Sequence, residues 1–141
     1  MNERRLDAFF YGLFMDVAVL RRSGAAPANP RPAYVQGFAL RIGNRATLIP
    51  SAGTRAYGMV IALTHSELDH LYNSPDLTQY RAEAVLAQLL SGGGSVPALC
   101  YNLPLEPQPD EKNPEYALKL QKALRNLGGF PAEYIDSVVH S

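Results

Sequence analysis

The chain of 141 residues has a single cysteine, Cys100. One thiol excludes an internal disulfide framework and any multi-thiolate metal site. Cys100 lies in the apolar stretch from Val96 to Tyr101, where it reads as a small core residue rather than a nucleophile. No apolar run approaches the roughly 18 residues a membrane-spanning helix needs. The opening Met-Asn-Glu-Arg-Arg is not followed by the apolar segment of a secretory leader, so the cytoplasm is the expected location. The net charge is zero, which removes any global electrostatic case for nucleic acid or membrane as partner. There is no internal repeat, and low complexity is confined to Ser91-Gly92-Gly93-Gly94-Ser95. His65 and His70 lie five residues apart, so they do not share a helix face as i, i+4 ligands would, and no metal site is expected. Ser23, Ser51 and Ser66 lack the context of a nucleophile elbow.

What is present describes one globular domain over residues 1–141, with 47% apolar and 18% charged residues. Charge is unevenly spread. Residues 1–63 carry eight arginines against three acids, and residues 64–141 five bases against ten acids. The two halves are expected to complement each other within one fold. Among the arginines of the basic half, Arg31, Arg41, Arg45 and Arg55 fall in loops and at strand ends, where one could hold a ligand carboxylate bidentately.

Periodicity predicts the order β-α-β-β-β-α-β-β-α-α. Leu6 to Tyr11 is a short buried strand, and Met15 to Arg22 a helix closed by Ser23-Gly24. Ala25 to Pro32, with three prolines, is expected as a loop. Strands follow at Ala33 to Ile42, with Gly37 as a bulge or a close-approach point, at Ala46 to Ile49, and at Thr54 to Leu63. Thr64 with Glu67 three residues on predicts a capping box at the head of a helix ending at Asn73-Ser74-Pro75. Tyr80 to Leu90 and Val96 to Leu103 form a hairpin around the glycine turn. Pro114 to Leu127 is an amphipathic helix with Tyr116, Leu120, Ala123 and Leu127 on one side, and Pro131 opens a last short helix. Short links favour antiparallel pairing, so the expected fold class is α+β: a mixed, mainly antiparallel small barrel of about six strands with flanking helices.

The run Asp7 to Asp16 carries the clearest functional signal. An apolar, aromatic strand stops at Tyr11-Gly12, and a helical stretch begins almost at once. A glycine there either simply permits a tight turn or lets free backbone N–H groups point together into open space, where they can hold a carboxylate or an oxyanion. Eight tyrosines are many for this length. Their ordinary role is packing at a barrel edge with the hydroxyl reaching water or a partner.

Several local runs, in order, resemble the gamma-glutamylcyclotransferase-like proteins. They are Tyr11-Gly12, Tyr57-Gly58-Met59-Val60, the Ser66 to Leu71 helix, Tyr80, Tyr101, Asn113-Pro114-Glu115-Tyr116 and Gly128-Gly129-Phe130-Pro131-Ala132-Glu133-Tyr134. The resemblance covers nearly the full chain. It implies a small-molecule cavity lined by the loop Tyr11, Gly12, Leu13, Phe14 and Met15, and by Tyr80, Tyr101 and Tyr116. It also implies a chemistry without metal or cofactor, in which the alpha-amine of a gamma-glutamyl group attacks its own gamma-carbonyl to give 5-oxoproline. One glutamate of the family serves as acid and base in that step.

This chain departs from the family at that glutamate. Aligned without a gap, Pro75 takes its place; aligned on Leu68-Asp69, Tyr72 does. Asp76 is the carboxylate nearest the turn and the candidate catalytic residue, or else a turn residue following proline; Glu83 is the next carboxylate along. Leu13-Phe14 stands where family enzymes often carry small polar residues. The expected function is therefore a gamma-glutamylcyclotransferase-like protein with cyclotransferase or related acyl-transfer activity. The alternative is a non-catalytic binding protein, or an interaction module using the Pro104 to Asp110 loop and the terminal helices. The expected partner is a small molecule, gamma-glutamyl-like or another carboxylate, and the sequence leaves the oligomeric state open.

Overall fold

The computed structural model describes residues 3–141. Five strands close into a barrel: β1 (Arg5–Phe10), β2 (Ala28–Ile42), β3 (Ala46–Thr64), β4 (Arg81–Leu89) and β5 (Ser95–Asn102). Their order around the barrel is β1-β3-β2-β4-β5. All pairs are antiparallel except β1 with β5, which close the barrel in parallel where Ala8 faces Leu99. Four helices flank it: α1 (Val17–Arg22), α2 (His65–Tyr72), α3 (Pro114–Leu127) and α4 (Ala132–Ser137). None is long and apolar enough to cross a membrane.

The α+β barrel expected from the sequence is present, with five strands rather than about six. The two short strands expected at 46–49 and 54–63 are one continuous β3. The chain absorbs the Pro50-Ser51-Ala52-Gly53 interruption as an irregularity. Phe38 pairs with Pro50 and Gln36 with Arg55, so Gly37 alone faces residues 51–54. Gly37 takes a φ of 86°, which an L side chain adopts only with strain, and the Thr54 hydroxyl closes the gap by donating to the Phe38 carbonyl.

The proline-rich segment expected as a loop is also partly strand, since β2 begins at Ala28. Residues 28–31 pair only with β3, because β4 joins β2 at Ala33 and the Leu90 N–H reaches no further than the Pro32 carbonyl, at 3.0 Å. The segment is therefore an edge, and an edge tolerates residues that lack an N–H. A further difference lies at the first helix. Asp16 is extended and caps α1 through its carboxylate and the Ala18 N–H, so Leu13–Met15 form a separate 3-10 turn. The capping box at Thr64 and Glu67 is formed as the sequence predicts. On α3 the buried face is Ala117, Leu120 and Leu124, and Leu127 is exposed instead of joining it.

The core fills the barrel and the space under α2 and α3. Phe9, Ile61, Val60 and Leu63 come from the strands, Leu68 from α2, and Leu120 and Leu124 from α3. Opposite charges from the two halves of the sequence meet at Arg5–Glu67 and Arg45–Asp76, whereas Arg31 pairs with Asp7 in its own half.

Candidate functional site

β1 ends in Phe9 and Phe10 and is followed by Tyr11, all three buried. The chain turns at Gly12 and the 3-10 turn brings Phe14 back over the barrel mouth. Gly12 is extended (φ −107°, ψ −157°), so its role is not backbone freedom. A Cβ at this position would overlap the Tyr116 hydroxyl of α3. Glycine is there because a tyrosine lies against the backbone. That hydroxyl accepts the Leu13 N–H at 3.3 Å. Tyr116 is set in place by the first turn of α3, whose cap Asn113 accepts the Tyr116 N–H at 3.1 Å.

These elements enclose a cavity of about 720 Å³. Tyr11, Gly12, Leu13, Phe14, Tyr80, Tyr101 and Tyr116 line it, as does Asp76. Of the loop residues named from the sequence, only Met15 stays out. Its side chain is fully buried in the core and its N–H donates to the Gly12 carbonyl at 3.0 Å. No acceptor for the Gly12 or Phe14 N–H is found among the described residues.

The lining also includes residues outside that set, among them Phe10, Asn44, Arg45 and Tyr72. The tip of the β2–β3 hairpin supplies Asn44 and Arg45, and the end of α2 supplies Tyr72. The tip is fastened from outside. Glu111 accepts the Asn44 N–H at 3.1 Å, and the Asn113 amide donates to the Asn44 carbonyl at 3.3 Å. Arg41 donates to the Gln108 carbonyl at 2.8 Å. The Gln108 and Asn44 N–H groups hold the Glu111 carboxyl below the ordinary carboxylate range. Of the four arginines singled out from the sequence, only Arg45 lines the cavity. Arg31 is spent on Asp7, Arg41 on carbonyls, and Arg55 lies over the Tyr34 ring at 4.3 Å.

Tyr72 is the hub of the aromatic wall. It stacks on Tyr101 with centroids 3.9 Å apart and planes within 8°, and meets Phe14 edge-on at 5.9 Å and Tyr80 at 5.9 Å. Phe14 in turn meets Phe10 edge-on at 6.1 Å. Pro75 is not among the lining residues; Tyr72 is. Two hydroxyls of the wall are already committed to main-chain carbonyls, Tyr11 to Tyr101 at 2.7 Å and Tyr80 to Ala46. Burial pushes the phenols of Tyr11 and Tyr72 well above their ordinary value. Burial likewise raises those of Tyr80, Tyr101 and Tyr116. All five therefore stay protonated at neutral pH.

The carboxylates stand differently. Asp76 sits on the rim with its side chain 90% exposed, 4.0 Å from Arg45. Glu83 lies on β4 opposite Cys100, accepts the Asn102 amide at 3.3 Å, and does not line the cavity. On the outer side of the Tyr72–Tyr101 pair, Asp69 and His70 edge a separate depression of about 460 Å³. Cys100 is fully buried and its thiol is pushed up by burial to about 12, which suits a core residue. No group of three metal-ligating side chains occurs among the described residues.

A barrel with this connectivity and a cavity at the Tyr11–Gly12 turn can be compared with known proteins. The family model described as gamma-glutamyl cyclotransferase, AIG2-like, matches residues 8–119. The chain belongs to this family. Solved structures agree on the fold. An uncharacterized protein from Homo sapiens is 23% identical with a TM-score of 0.76, over 96% of this chain and 87% of that one. A gamma-glutamyl cyclotransferase is 19% identical with a TM-score of 0.75, over 96% and 86%. An AIG2-like protein from Mus musculus is 21% identical with a TM-score of 0.59, over 81% and 83%. A search of curated proteins finds no match. In this cyclotransferase-like chain the family match spans β1 to the first turns of α3, and so includes every element that contributes to the cavity.

Proposed function

We propose that the cavity binds a small gamma-glutamyl-like compound and that cyclisation of such compounds is weak or absent. Family membership supports a cyclotransferase-like role in general. The finer reading rests on one observation: the single carboxylate lining the cavity, Asp76, is 90% exposed beside Arg45. Cyclisation needs a base to take a proton from the alpha-ammonium and an acid to protonate the departing amine. One carboxylate does both at neutral pH only when desolvation lifts it toward that range.

Tyr72 is the better candidate than Pro75 for the position that holds the family's glutamate, since Tyr72 lines the cavity. A phenol held protonated by burial does not accept a proton from an ammonium. Loss of general acid/base catalysis alone lowers a rate roughly 10²–10⁴-fold. Binding survives that loss. The Gly12 and Phe14 N–H groups and the Tyr116 hydroxyl offer donors to a carbonyl or carboxylate oxygen, and Arg45 offers a cation at the rim.

The test pairs calorimetric titration with a 5-oxoproline assay, using several gamma-glutamyl amino acids and amines. Binding with little or no 5-oxoproline is the expected result. Turnover at the rate of an acid/base-equipped enzyme overturns the reading, and its loss in Asp76→Asn would then make Asp76 the base.

A further inference from the structure

We infer that the amine part of the ligand is a flat aromatic ring, so that the preferred ligand is an aryl amide of a gamma-glutamyl-like acid. The inference rests on the gamma-glutamyl reading of the cavity and adds what the other half of the ligand is. Three observations carry it.

The first is size. About 720 Å³ lies in the range of pockets that hold drug-sized ligands, and a glutamyl group with a small amine leaves much of it empty. The second is the state of the tyrosines. The hydroxyls of Tyr11 and Tyr80 are tied to the carbonyls of Tyr101 and Ala46. What these residues have left for a ligand is ring carbon. The third is ring geometry. Phe10, Phe14, Tyr72, Tyr80 and Tyr101 already meet in edge-on, tilted and stacked contacts around Tyr72. A further flat ring gains the same quadrupole-matched contacts, in addition to the area it buries. The Gly12–Phe14 turn with Tyr116 and the cation of Arg45 serve the glutamyl half, which leaves the aromatic wall around Tyr72 for the amine half.

Isothermal titration of the wild-type protein with gamma-glutamylanilide, gamma-glutamylglycine and acetanilide tests this. Gamma-glutamylanilide should bind at least about tenfold tighter than gamma-glutamylglycine, and acetanilide weakest of all. Equal affinity for the two gamma-glutamyl compounds overturns the aryl inference and leaves the gamma-glutamyl reading in place. Acetanilide binding as tightly as gamma-glutamylanilide overturns the gamma-glutamyl reading, and with it the aryl amide proposed here. Failure of all three to bind overturns both. In Tyr72→Leu the ratio between the two gamma-glutamyl ligands should fall to within about threefold; a ratio unchanged from wild type counts against the stacking argument. Should that variant not fold, the wild-type panel decides alone.

Discussion

The contact between Gly12 and Tyr116 joins the turn at the end of β1 to α3, and a double-mutant cycle can measure it. Gly12→Ala leaves a backbone that alanine adopts freely, since φ is −107°. The added Cβ, however, falls on the Tyr116 hydroxyl. Either the phenol swings away, breaking its bond to the Leu13 N–H at 3.3 Å, or the turn shifts. Overpacking of this kind costs about 1–3 kcal/mol. Tyr116→Phe alone leaves the Leu13 N–H without its partner and should cost about 1 kcal/mol. The two changes together should not add. The ring carbon Cζ would lie 3.8 Å from the new Cβ, an ordinary contact, so without the hydroxyl the alanine fits. The predicted coupling is at least about 1 kcal/mol, read from urea midpoints of wild type, both single variants and the double variant. Additivity within about 0.5 kcal/mol would refute the claim that this glycine is dictated by the tyrosine.

Tyr11, Tyr72 and Tyr80 have phenols raised by burial, so above the unfolded value of about 10 the folded state holds more protons than the unfolded one. Their contribution is intact below that pH and is lost as pH rises beyond it, so urea midpoints should hold from about pH 8 to about 9 and fall by about pH 11. Cys100, with its thiol near 12, should not react with a disulfide reagent in the native protein at about pH 8, and should react fully in denaturant. Thr64→Ala removes one arm of the capping box on α2 and should cost about 1 kcal/mol by the same denaturation assay.

The parts of the fold that local chemistry decides were legible in the sequence. The capping box, the glycine turn between β4 and β5, the bounds of α3 and the Gly37 irregularity all follow from residues a few positions apart. What escaped was set by distant neighbours. Nothing within residues 28–31 says that β4 leaves that flank unpaired, and nothing near Pro50 says that Gly37 will absorb four residues. At the site, the converging tyrosines were legible by resemblance. Arg45 was not distinguishable from Arg31, Arg41 and Arg55, because its place depends on Glu111 and Asn113 fastening the hairpin tip from far along the chain. Tyr72 stood in the sequence as one of two alignments of the family's glutamate position; its ring contacts with Phe14, Tyr80 and Tyr101 arise from four separate segments. The sequence offered a tight turn or free N–H groups as the reason for Gly12, whereas the close approach of the distant Tyr116 is what excludes a Cβ there.

The central claim is that a ligand cavity of the cyclotransferase type lacks a buried base because Tyr72 occupies its place. The most direct measurement is 5-oxoproline released from a gamma-glutamyl compound by wild type and Tyr72→Glu side by side. The account predicts release near the buffer rate from wild type and a rise of about 10²-fold or more in the variant, because the new carboxylate enters the same aromatic wall. Wild type turning over as fast as a family enzyme, with Tyr72→Glu no faster, would contradict it.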